Sequence, residues 1–383
     1  MPLNRATAVI GSAIRVPVDT DRLCLEEILY EVTQAALKSA GLTIEQIDGI
    51  LVGSNDQVDG RAISVMAASG SVGGVDRDIL STPSAGEHAF VMGVLRVASA
   101  QYETQLVVAW GGTEASSLSE VERLGADPYF HRRLPQDDLA SFALQANVLV
   151  EAQPQVAGLV AELVALNRRR GALAYPEAAG PVASVAQINA STPVCWPVRD
   201  GMLRPPVTGA VALVLASAEH VQKAGIANPA WVRGMGWATE AAFLGDRDLT
   251  QADALQEALR QAMADARIDS AAQVDVAEVT GPTPYQELLA YQALGLGGPD
   301  QWAGLVAGSG ATSTGGPAIN PSGGLAAINP VFCGGLVRIA EAAQQVRGLA
   351  GAHQAAKAQT ALAHAASGPA MMYQTVVVFG RDQ

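Results

Sequence analysis

The stretch from Asn320 to Gly348, NPSGGLAAINPVFCGGLVRIAEAAQQVRG, decides the fold of this chain. It contains a proline with a glycine pair, a second turn at Asn329-Pro330, a second glycine pair and an amphipathic helix. Glycine adopts positive φ and lets the backbone approach a ligand or another segment closely. We expect the helix to begin at Gly334-Gly335, where its free N–H groups can bind an anionic or carbonyl oxygen. A tight loop that leads into a buried helix is the structural alternative.

The composition is that of a soluble α/β protein. Hydrophobic residues make up 49% of the 383 residues and charged residues 16%, which favours one large or two mid-sized domains. The net charge of −13 argues against a nucleic-acid or anionic membrane partner. No apolar run reaches the ~18–20 residues of a membrane span, and no signal peptide is recognisable. Three scattered cysteines without a CxxC pair predict no metal site and a cytoplasmic location.

The chain contains an internal repeat. Residues 27–53 and 253–279 each combine a long amphipathic helix, a small-residue stop, a short link and an Ile/Val-Asp lead into a strand. Residues 81–100 and 328–345 form a second pair, in which a turn with proline and glycine precedes a helix. Chance similarity of Ala-rich helices is the alternative, and two pairs in the same order argue against it. We therefore predict two halves, each with its own β-α-β core and central buried helix.

The two halves differ in one segment of the first. After a fully apolar strand at 105–112, the sequence becomes polar and then shows a helical pair and a proline-bearing stretch. We interpret this segment as an insertion over the first half. The predicted division is a first half at 1–220 with an insertion at about 113–205, and a second half at 221–383.

Several motifs resemble the thiolase family. The pattern NPSGG…NP…GG…RIAE…QVRG is similar to the C-terminal signature of thiolases, in particular of the sterol-carrier/lipid-transfer branch. The similarity extends over essentially the whole chain, since ALNRRRGALAYPEAAG (165–180) resembles the loop-domain helix and PVTGAVALVLAS (206–217) a family strand. The resemblance implies the α/β class, a duplicated thiolase fold with five layers (α-β-α-β-α) and an inserted loop domain, and a homodimer.

The resemblance fails at the four catalytic positions. The nucleophilic Cys of a working thiolase corresponds here to Pro83 or Ser84 in STPSAGEH, and the His that activates it corresponds to Asn329. The family's Asn falls on Thr280, and its second Cys falls about on Ala365. A thiolate nucleophile needs a thiol of lowered pKa with a base in contact. Conventional thiolysis is therefore not expected.

Two candidate side chains lie near the start of the first central helix. Ser84 is typical of an N-cap, and nucleophilic catalysis is the alternative. A serine hydroxyl is not ionised unaided, and we expect no His or Lys beside it. His88, one turn further on, is expected to be buried against the core. We keep Ser84 as a candidate catalytic residue.

His364 and Cys333 are candidates in the second half. By resemblance, His364 lies in a small-residue loop that borders the pocket where thiolases keep their second acid/base, and structural and functional roles are both open. Cys333 stands at the start of the second central helix, whose dipole lowers the pKa of a thiol. Cys is also among the residues most often buried, which is the structural alternative.

The segment TGPTPYQELLAYQALG supplies two tyrosines, and in thiolases this segment lines the active site. Tyr can act as an acid/base in aldol-type chemistry. Tyr285 and Tyr291 are six residues apart on a helix and cannot both face the pocket. Tyr285 is the closer of the two and the better candidate.

Backbone groups of the glycine-rich stretch can still bind a thioester carbonyl after loss of the nucleophile. We expect Gly323 and Gly324 to present N–H groups and Asn329 its amide, as in an oxyanion hole. Ser322, Thr280 and Cys333 complete the predicted binding set. The expected ligand is a coenzyme A thioester that serves as substrate, with no covalently bound cofactor.

Two functional hypotheses follow. In the first, the protein binds an acyl-CoA and cleaves or forms a C–C bond beside the thioester without an acyl-Cys intermediate, as in retro-aldol cleavage of a β-hydroxyacyl-CoA. Relatives that lack the Cys do this with a small zinc-ribbon/OB-fold partner. In the second, the chain is a non-catalytic pseudo-thiolase subunit of a heteromeric complex. Similarity in name to acetyl-CoA acetyltransferase would not distinguish the two.

Overall fold

A computed structural model describes residues 5–17, 22–60, 63–112, 117–178, 182–308 and 316–383. The first residues of the predicted insertion, 113–116, and its residues 179–181 lie outside this description. The described strands are β1 (Thr7–Arg15), β2 (Gly49–Gly53), β3 (Asp78–Thr82), β4 (Thr104–Gly111), β5 (Pro193–Cys195), β6 (Val198–Arg199), β7 (Gly209–Ser217), β8 (Ala230–Thr239), β9 (Val276–Val279), β10 (Ala318–Ile319), β11 (Thr360–Ser367) and β12 (Tyr373–Gly380).

The described helices include the predicted long helices of both halves. They are α1 (Leu25–Ala40), α2 (Asp56–Asp59), α3 (Ser64–Ser69), α4 (Gly86–Ala98), α5 (Leu118–Gly125), α6 (Asp138–Ala152), α7 (Val156–Ala174), α8 (Val185–Ala190), α9 (Ala218–Ala224), α10 (Asp253–Ala266), α11 (Pro284–Ala293), α12 (Trp302–Val306), α13 (Gly324–Ala327) and α14 (Gly334–Arg347). As expected, Gly41 ends α1 with a φ of 69°. The predicted helix start at Gly334 is also confirmed.

The predicted duplication is confirmed by the sheet. Its strand order is β10-β9-β11-β12-β8-β1-β7-β4-β2-β3, so that each half contributes five strands in the same relative order. When the strands of each half are counted along the chain, the second strand pairs in parallel with the third and with the fourth. The other pairs are antiparallel. The two half-sheets meet where β1 and β8 pair, at Ala8–Trp231 and Val9–Ala230.

The layers follow from which side chains each face buries. α4 and α14 pack between the two half-sheets, where Phe90 of α4 meets Phe379 of β12 edge-on at 6.1 Å between ring centroids. α1 covers the outer face of the first half-sheet. α10 covers the outer face of the second, together with α6, α7 and α11. This is the predicted five-layer arrangement. Helices α5 to α8 belong to the predicted insertion, and its expected position over the first half is wrong for α6 and α7, which pack in the core of the second half. The division into halves near residue 220 stays a proposal.

α14 carries a buried ionic network through the middle of the molecule. Arg338 is fully buried, and its guanidinium donates to Glu278 Oε2 at 2.8 Å and to the Ser322 hydroxyl. The Tyr175 hydroxyl donates to Glu341 Oε1 at 2.5 Å, and His353 Nε2 lies 2.8 Å from Glu341 Oε2. Burying a charge is costly unless it is paired and hydrogen-bonded, as these groups are. The network therefore ties α14 to β9, to the end of α7 and to the glycine-rich loop before α13.

Candidate functional site

A cavity of about 570 Å³ lies where the starts of the two central helices meet the insertion. Its wall includes the start of α4, the loop before α14, the loop after β9 and the loop after β11. The insertion and the segment that follows it close the other side. Its lining residues include Glu87, Ser119, Glu122, Asp137, Asp138, Asp200, Arg204, Thr280, Asn329, Gly334, Gly335 and Ser367. Apolar side chains provide much of the remaining wall.

Backbone hydrogen bonds hold the two helix starts beside each other. The Gly86 N–H donates to the Phe332 carbonyl at 2.8 Å and so joins the first turn of α4 to the loop before α14. The same loop is fixed on its other side, because the Val207 N–H donates to the Asn329 carbonyl at 3.0 Å. The first N–H groups of an α-helix have no partner within the helix. The start of α14 can therefore present such groups to the cavity.

The last residue of β4 controls the position of this loop. A Cβ on Gly111 would lie 1.7 Å from the Val331 carbonyl oxygen, which belongs to the backbone and cannot rotate away. We expect Gly111→Ala to lower the free energy of unfolding by about 1–3 kcal/mol or more, because overpacking a core typically costs this much. It should also displace the cavity wall. Urea unfolding and calorimetric titration with an acyl-CoA would measure the two effects.

Gly112→Ala is the matched control, because nothing lies within 4 Å of a Cβ at Gly112. We expect that variant to keep the stability and the affinity of the parent protein. Equal stability of the two variants would contradict the close approach of β4 to the loop.

Glu87 is the chemically distinctive residue of the cavity wall. It lies in the first turn of α4 and its side chain is 1% exposed. Neither carboxylate oxygen has a hydrogen-bond partner among the described residues. A Cβ on Gly335 would come within 2.4 Å of Glu87 Oε2, so only glycine at the start of α14 leaves room for this carboxyl group. Two helix N-termini converge here, and their dipoles favour a carboxylate. Glu87 is thus a buried carboxyl group beside the cavity that accepts no hydrogen bond from the described residues.

The insertion contributes three carboxyl groups to the opposite wall. Ser119 Oγ donates to Asp137 Oδ2 at 2.7 Å, and the Asp138 N–H donates to Glu122 Oε2 at 3.0 Å. Burial, together with repulsion from Glu122 and Asp137, raises the pKa of Asp138 to about 8. Burial also raises the pKa of the Glu122 carboxyl. A carboxyl group that keeps its proton near neutral pH can donate it, so this wall can supply an acid.

Two of the residues predicted from sequence line the cavity. Asn329 does so from the loop before α14, where its Nδ2 donates to the Arg204 carbonyl at 3.1 Å. Thr280 does so from the loop after β9, where its hydroxyl donates to the His364 carbonyl at 3.0 Å. Their polar side-chain groups are therefore engaged with the backbone while the residues themselves face the cavity.

Ser84 lies just before α4 and is not its N-cap. That position belongs to Ala85, so the predicted capping role is wrong. The expectation that no His lies beside Ser84 is also wrong, since its Oγ is 2.7 Å from His88 Nδ1. His88 is half-buried rather than in the core and contacts the Tyr373 ring edge-on. The cavity wall includes neither Ser84 nor His88, and a catalytic role for Ser84 stays a prediction.

His364 lies within β11 and not in a loop, which corrects the sequence-based placement. It is fully buried, and its Nε2 is 2.7 Å from Gln374 Oε1. Burial lowers the pKa of His364 to about 4, so the imidazole is neutral at physiological pH. His364 is absent from the cavity wall. Its geometry is that of a core residue that positions Thr280 through its carbonyl.

Cys333 precedes α14 as expected, but the helix dipole does not decide its acidity. The side chain is fully buried, and burial raises the pKa of the thiol to about 12. Its Sγ lies 3.8 Å from the Gly209 carbonyl oxygen. The expectation of a lowered pKa is therefore wrong, because desolvation outweighs the dipole. An inert, buried thiol does not replace the missing nucleophile.

The two tyrosines lie on α11, inside the hydrophobic core of the second half. Burial raises the pKa of Tyr285, which is 3% exposed. The Tyr291 hydroxyl donates to Glu287 Oε1 at 2.5 Å. Neither tyrosine contributes to the wall of the cavity. The segment that lines the active site by resemblance here presents only Thr280 and Pro282 to the cavity.

The glycine-rich loop before α13 faces α7 and not the cavity. The Ser322 hydroxyl donates to Glu278 Oε2 at 2.6 Å and belongs to the buried ionic network. Gly323 has a φ of 86°, and a Cβ there would lie 2.3 Å from the Asn167 carbonyl oxygen. Gly324 also has positive φ. Close packing of α7 requires glycine at 323, and positive φ favours it at 324. The predicted role of both glycines in binding substrate stays a prediction.

The sequence contained a signal for Glu87 that the residue-by-residue reasoning missed. SAGEHAFVMGVLRVA places one acidic residue among small and apolar residues at the start of a helix that was predicted to be central and buried. A charged side chain in a buried helix usually makes a structural or functional interaction that offsets the cost of its burial. Asp137 and Asp138 gave a weaker signal, because acidic residues before a helix are typical of ordinary N-caps. Among the described residues, no set of three or more His, Cys, Asp or Glu side chains is arranged to hold a metal ion.

Known structures with the same arrangement cover the whole chain. The Ltp2-ChsH2(DUF35) aldolase matches with a TM-score of 0.82 at 17% identity, over 100% of this chain and 99% of that one. A monomeric SCP2-thiolase like protein type 1 from Mycobacterium smegmatis matches at 0.76 and 17%, over 100% of this chain and 79% of its own. Human mitochondrial 3-ketoacyl-CoA thiolase matches at 0.73 and 16%, over 100% of both chains. The fold is the thiolase fold.

Sequence comparison finds relatives over parts of the chain. Residues 237–381 match the family model described as thiolase C-terminal domain-like. Acetyl-CoA acetyltransferase of Methanothermobacter thermautotrophicus is 30% identical over 206 residues, 53% of each chain. Sterol carrier protein 2 of Rattus norvegicus is 33% identical over 166 residues, 42% of this chain and 30% of its own. The match thus spans about half of the first relative and less than a third of the second. The chain is thus similar to the thiolase C-terminal domain in its second half, and over parts of its length to an acetyl-CoA acetyltransferase and a sterol carrier protein.

Proposed function

We propose that the protein binds an acyl-CoA thioester and cleaves or forms the C–C bond beside it without a covalent acyl-enzyme. Retro-aldol cleavage of a β-hydroxyacyl-CoA is the specific reaction. The observation that carries the proposal is the unpartnered Glu87 carboxyl at the junction of α4 and α14, in a cavity whose described wall contains no Cys. In this proposal Glu87 acts as the acid/base beside the first central helix, and no acyl-Cys intermediate forms.

The reaction needs a base, an acid and stabilisation of an enolate. Glu87 would accept the proton of the β-hydroxyl group, the Cα–Cβ bond would break, and its electron pair would form the thioester enolate while the β-carbon becomes a carbonyl. Glu87 would then return this proton to the enolate at Cα, which gives the shortened acyl-CoA and regenerates the base, so no oxidant or reductant is needed. N–H groups at the start of α14, beside Gly334 and Gly335, are suited to the enolate oxygen.

A coenzyme A ligand is supported by the kinds of proteins that share the fold. Human mitochondrial 3-ketoacyl-CoA thiolase, solved in complex with CoA, matches 99% of this chain with a TM-score of 0.73. The cavity is large enough for an acyl group with the end of a pantetheine arm. It is roughly within the ~300–1,000 Å³ that small-molecule pockets occupy. The CoA thioester is the substrate in this proposal, and no covalently bound cofactor takes part.

The assembly and location are carried over from the sequence as proposals. A homodimer follows from the resemblance, and a small zinc-ribbon/OB-fold partner is supported by the two-component name of the Ltp2-ChsH2(DUF35) aldolase. Within the described ranges, no helix has the length and apolarity to cross a bilayer. Cytoplasmic location stays a prediction.

The first experiment is a calorimetric titration with acetyl-CoA and decanoyl-CoA, followed by incubation with 3-hydroxybutyryl-CoA. We expect saturable binding and, after incubation, acetyl-CoA with one equivalent of acetaldehyde. Mass spectrometry of the acyl-CoA and derivatisation of the aldehyde would detect the products. Absence of binding for every thioester would refute the proposal. Binding without cleavage would refute the aldolase assignment for this substrate and retain the thioester site.

A non-catalytic subunit is the second candidate function. It is favoured by the burial of the remaining thiol near the site, Cys333, and by the engagement of Asn329 and Thr280 with the backbone. A stable complex with an active thiolase-like protein, without binding of CoA thioesters by this chain, would support it. A homodimer that binds acyl-CoA would contradict it.

A further inference from the structure

A buried carboxylate beside a cavity takes its hydrogen bonds from whatever fills the cavity. Glu87 is 1% exposed, and neither of its carboxylate oxygens accepts a hydrogen bond from the described residues. Buried polar groups of this kind are satisfied by a ligand or by ordered water. When the bound acyl group offers no hydroxyl, a water molecule is therefore the partner of Glu87.

A second unsatisfied group lines the same cavity. The Ser367 Oγ atom is buried and has no hydrogen-bond partner among the described residues. Side chains alternate along a strand, so Ser367 points to the same face of β11 as Ala365. That face meets Glu87, because a Cβ on Gly335 would lie 2.4 Å from Glu87 Oε2 and 2.8 Å from the Ala365 Cβ. The two groups thus lie on the same side of the cavity, and Ser367 is suited to hold a water beside Glu87.

The atoms of the thioester have a separate place in the proposed site. N–H groups at the start of α14, beside Gly334 and Gly335, are suited to the carbonyl oxygen. In a β-hydroxyacyl thioester, the oxygen that gives its proton to Glu87 lies about 3 Å from the carbonyl carbon when the chain is gauche. After the aldehyde has left, a water on Glu87 takes this place. The water then lies within the ~3–3.5 Å at which an attacking atom reacts.

We infer that the same site has a second activity, the hydrolysis of the thioester that remains once the aldehyde has left, which is acetyl-CoA in the simplest case. Glu87 is the general base, and Ser367 orients the attacking water. The inference rests on the proposed acyl-CoA site but not on the cleavage of a C–C bond.

The reaction needs no group beyond those already described. Glu87 takes a proton from the water while the water oxygen bonds to the thioester carbonyl carbon. N–H groups at the start of α14 stabilise the oxyanion of the tetrahedral intermediate. The C–S bond then breaks, and Glu87 returns the proton to the departing thiolate. Acetic acid and coenzyme A with a free thiol are released, and the base is regenerated.

The length of the acyl group decides whether water reaches Glu87. Acetyl-CoA has no β-carbon and leaves room for the water. In butyryl-CoA the β-carbon occupies the place of the departed aldehyde, and the chain buries against apolar wall residues such as Leu325 and Phe332. A hydrocarbon in this place displaces the water from its attacking position. Hydrolysis is therefore selective for the shortest thioester.

The test measures the release of coenzyme A from acetyl-CoA and butyryl-CoA by liquid chromatography with mass spectrometry, in water enriched in ¹⁸O. We expect acetyl-CoA to be hydrolysed about 10²–10⁴-fold faster than in buffer, the usual contribution of a general base. Butyryl-CoA should react about tenfold or more slowly than acetyl-CoA, because a displaced reactant loses at least this much. The ¹⁸O should appear in acetate and not in the Glu87 side chain.

Three variants test the roles of the two residues. Glu87→Gln should lower hydrolysis to the rate in buffer, and Glu87→Asp, which withdraws the carboxylate by one methylene, should lower it about tenfold or more. Ser367→Ala should lower hydrolysis about tenfold, and the loss should fall on kcat rather than KM, because the hydroxyl contacts the water and not the thioester. Glu120→Gln, at an exposed position of α5, removes a charge outside the cavity wall and should hydrolyse acetyl-CoA at the parent rate.

The outcomes separate this inference from the proposed function. Cleavage of 3-hydroxybutyryl-CoA without hydrolysis of acetyl-CoA above the rate in buffer would overturn the inference and leave the C–C chemistry in place. Hydrolysis at the parent rate in both Glu87 variants, equal rates for acetyl-CoA and butyryl-CoA, or ¹⁸O in the Glu87 side chain would also overturn it. Hydrolysis that depends on Glu87, without cleavage of 3-hydroxybutyryl-CoA, would support the inference and refute the aldolase assignment. Absence of acetyl-CoA binding would refute both.

Discussion

The Glu87→Gln variant should lose C–C bond cleavage by about 10²–10⁴-fold, the usual contribution of a positioned general base. Glutamine has the shape of glutamate but cannot accept the proton of the β-hydroxyl group. The loss should therefore fall on kcat, while the dissociation constant for acetyl-CoA changes little. Initial rates of acetyl-CoA release from 3-hydroxybutyryl-CoA, with calorimetry for binding, would separate the two quantities.

Glu120→Gln is the control for this experiment as well, since it removes the same charge from an exposed position. A melting curve should show that Glu87→Gln folds, because no described group donates to the carboxyl that is changed. Cleavage at the parent rate in Glu87→Gln would eliminate Glu87 as the base. Ser84 and His88 would then be the next candidates, since Ser84 Oγ lies 2.7 Å from His88 Nδ1 at the same helix start.

Arg338→Met should lower the free energy of unfolding by about 3–5 kcal/mol, the cost of breaking a buried ion pair by removing one partner. The substitution leaves Glu278 and the Ser322 hydroxyl buried without the guanidinium that both contact. Methionine approximates the length of the lost chain, so packing contributes little to the loss. Equilibrium unfolding in urea, followed by far-ultraviolet circular dichroism, would measure it.

Arg260→Met provides the matched comparison. Arg260 pairs with Glu257 at 2.6 Å, but its side chain is 67% exposed and the pair is solvated. We expect no measurable change in stability for that variant. Equal effects of the two substitutions would show that burial of the Arg338 network contributes nothing.

The fold was accessible from sequence because its signals are repeated. The helix–link–strand pattern at 27–53 recurs at 253–279, and the structure gives the same order of helix, short 3₁₀ turn and strand in both. Glycines at helix ends marked boundaries correctly at Gly41 and Gly334. What the pattern could not show is that β1 and β8 join the half-sheets, since that contact depends on how the halves are placed in space.

The functional site could be predicted from the sequence only in part, because it too depends on how distant segments are placed in space. Asn329 and Thr280 were found because a motif located their loops, and loops of this kind reach the cavity. His364 was misplaced because small residues such as those in AHAAS suit a loop and a tightly packed central strand equally well. The sequence places Cys333 at the start of a helix but does not report that it is buried. Burial dominates the pKa of its thiol. The pKa of a side chain depends on its surroundings in the folded protein, and the periodicity of the sequence carries no information about them.

The pairing of β1 also bears on how the chain is made. Thr7 pairs with Ser217 and Ala8 with Trp231, so the first strand waits for more than half of the polypeptide before either of its neighbours exists. Contacts so distant in sequence slow folding, because the intervening chain must be closed into a loop first. During synthesis this apolar strand would stand unpaired in the nascent chain until β7 has been made. Such a segment is a natural binding site for chaperones and a starting point for aggregation.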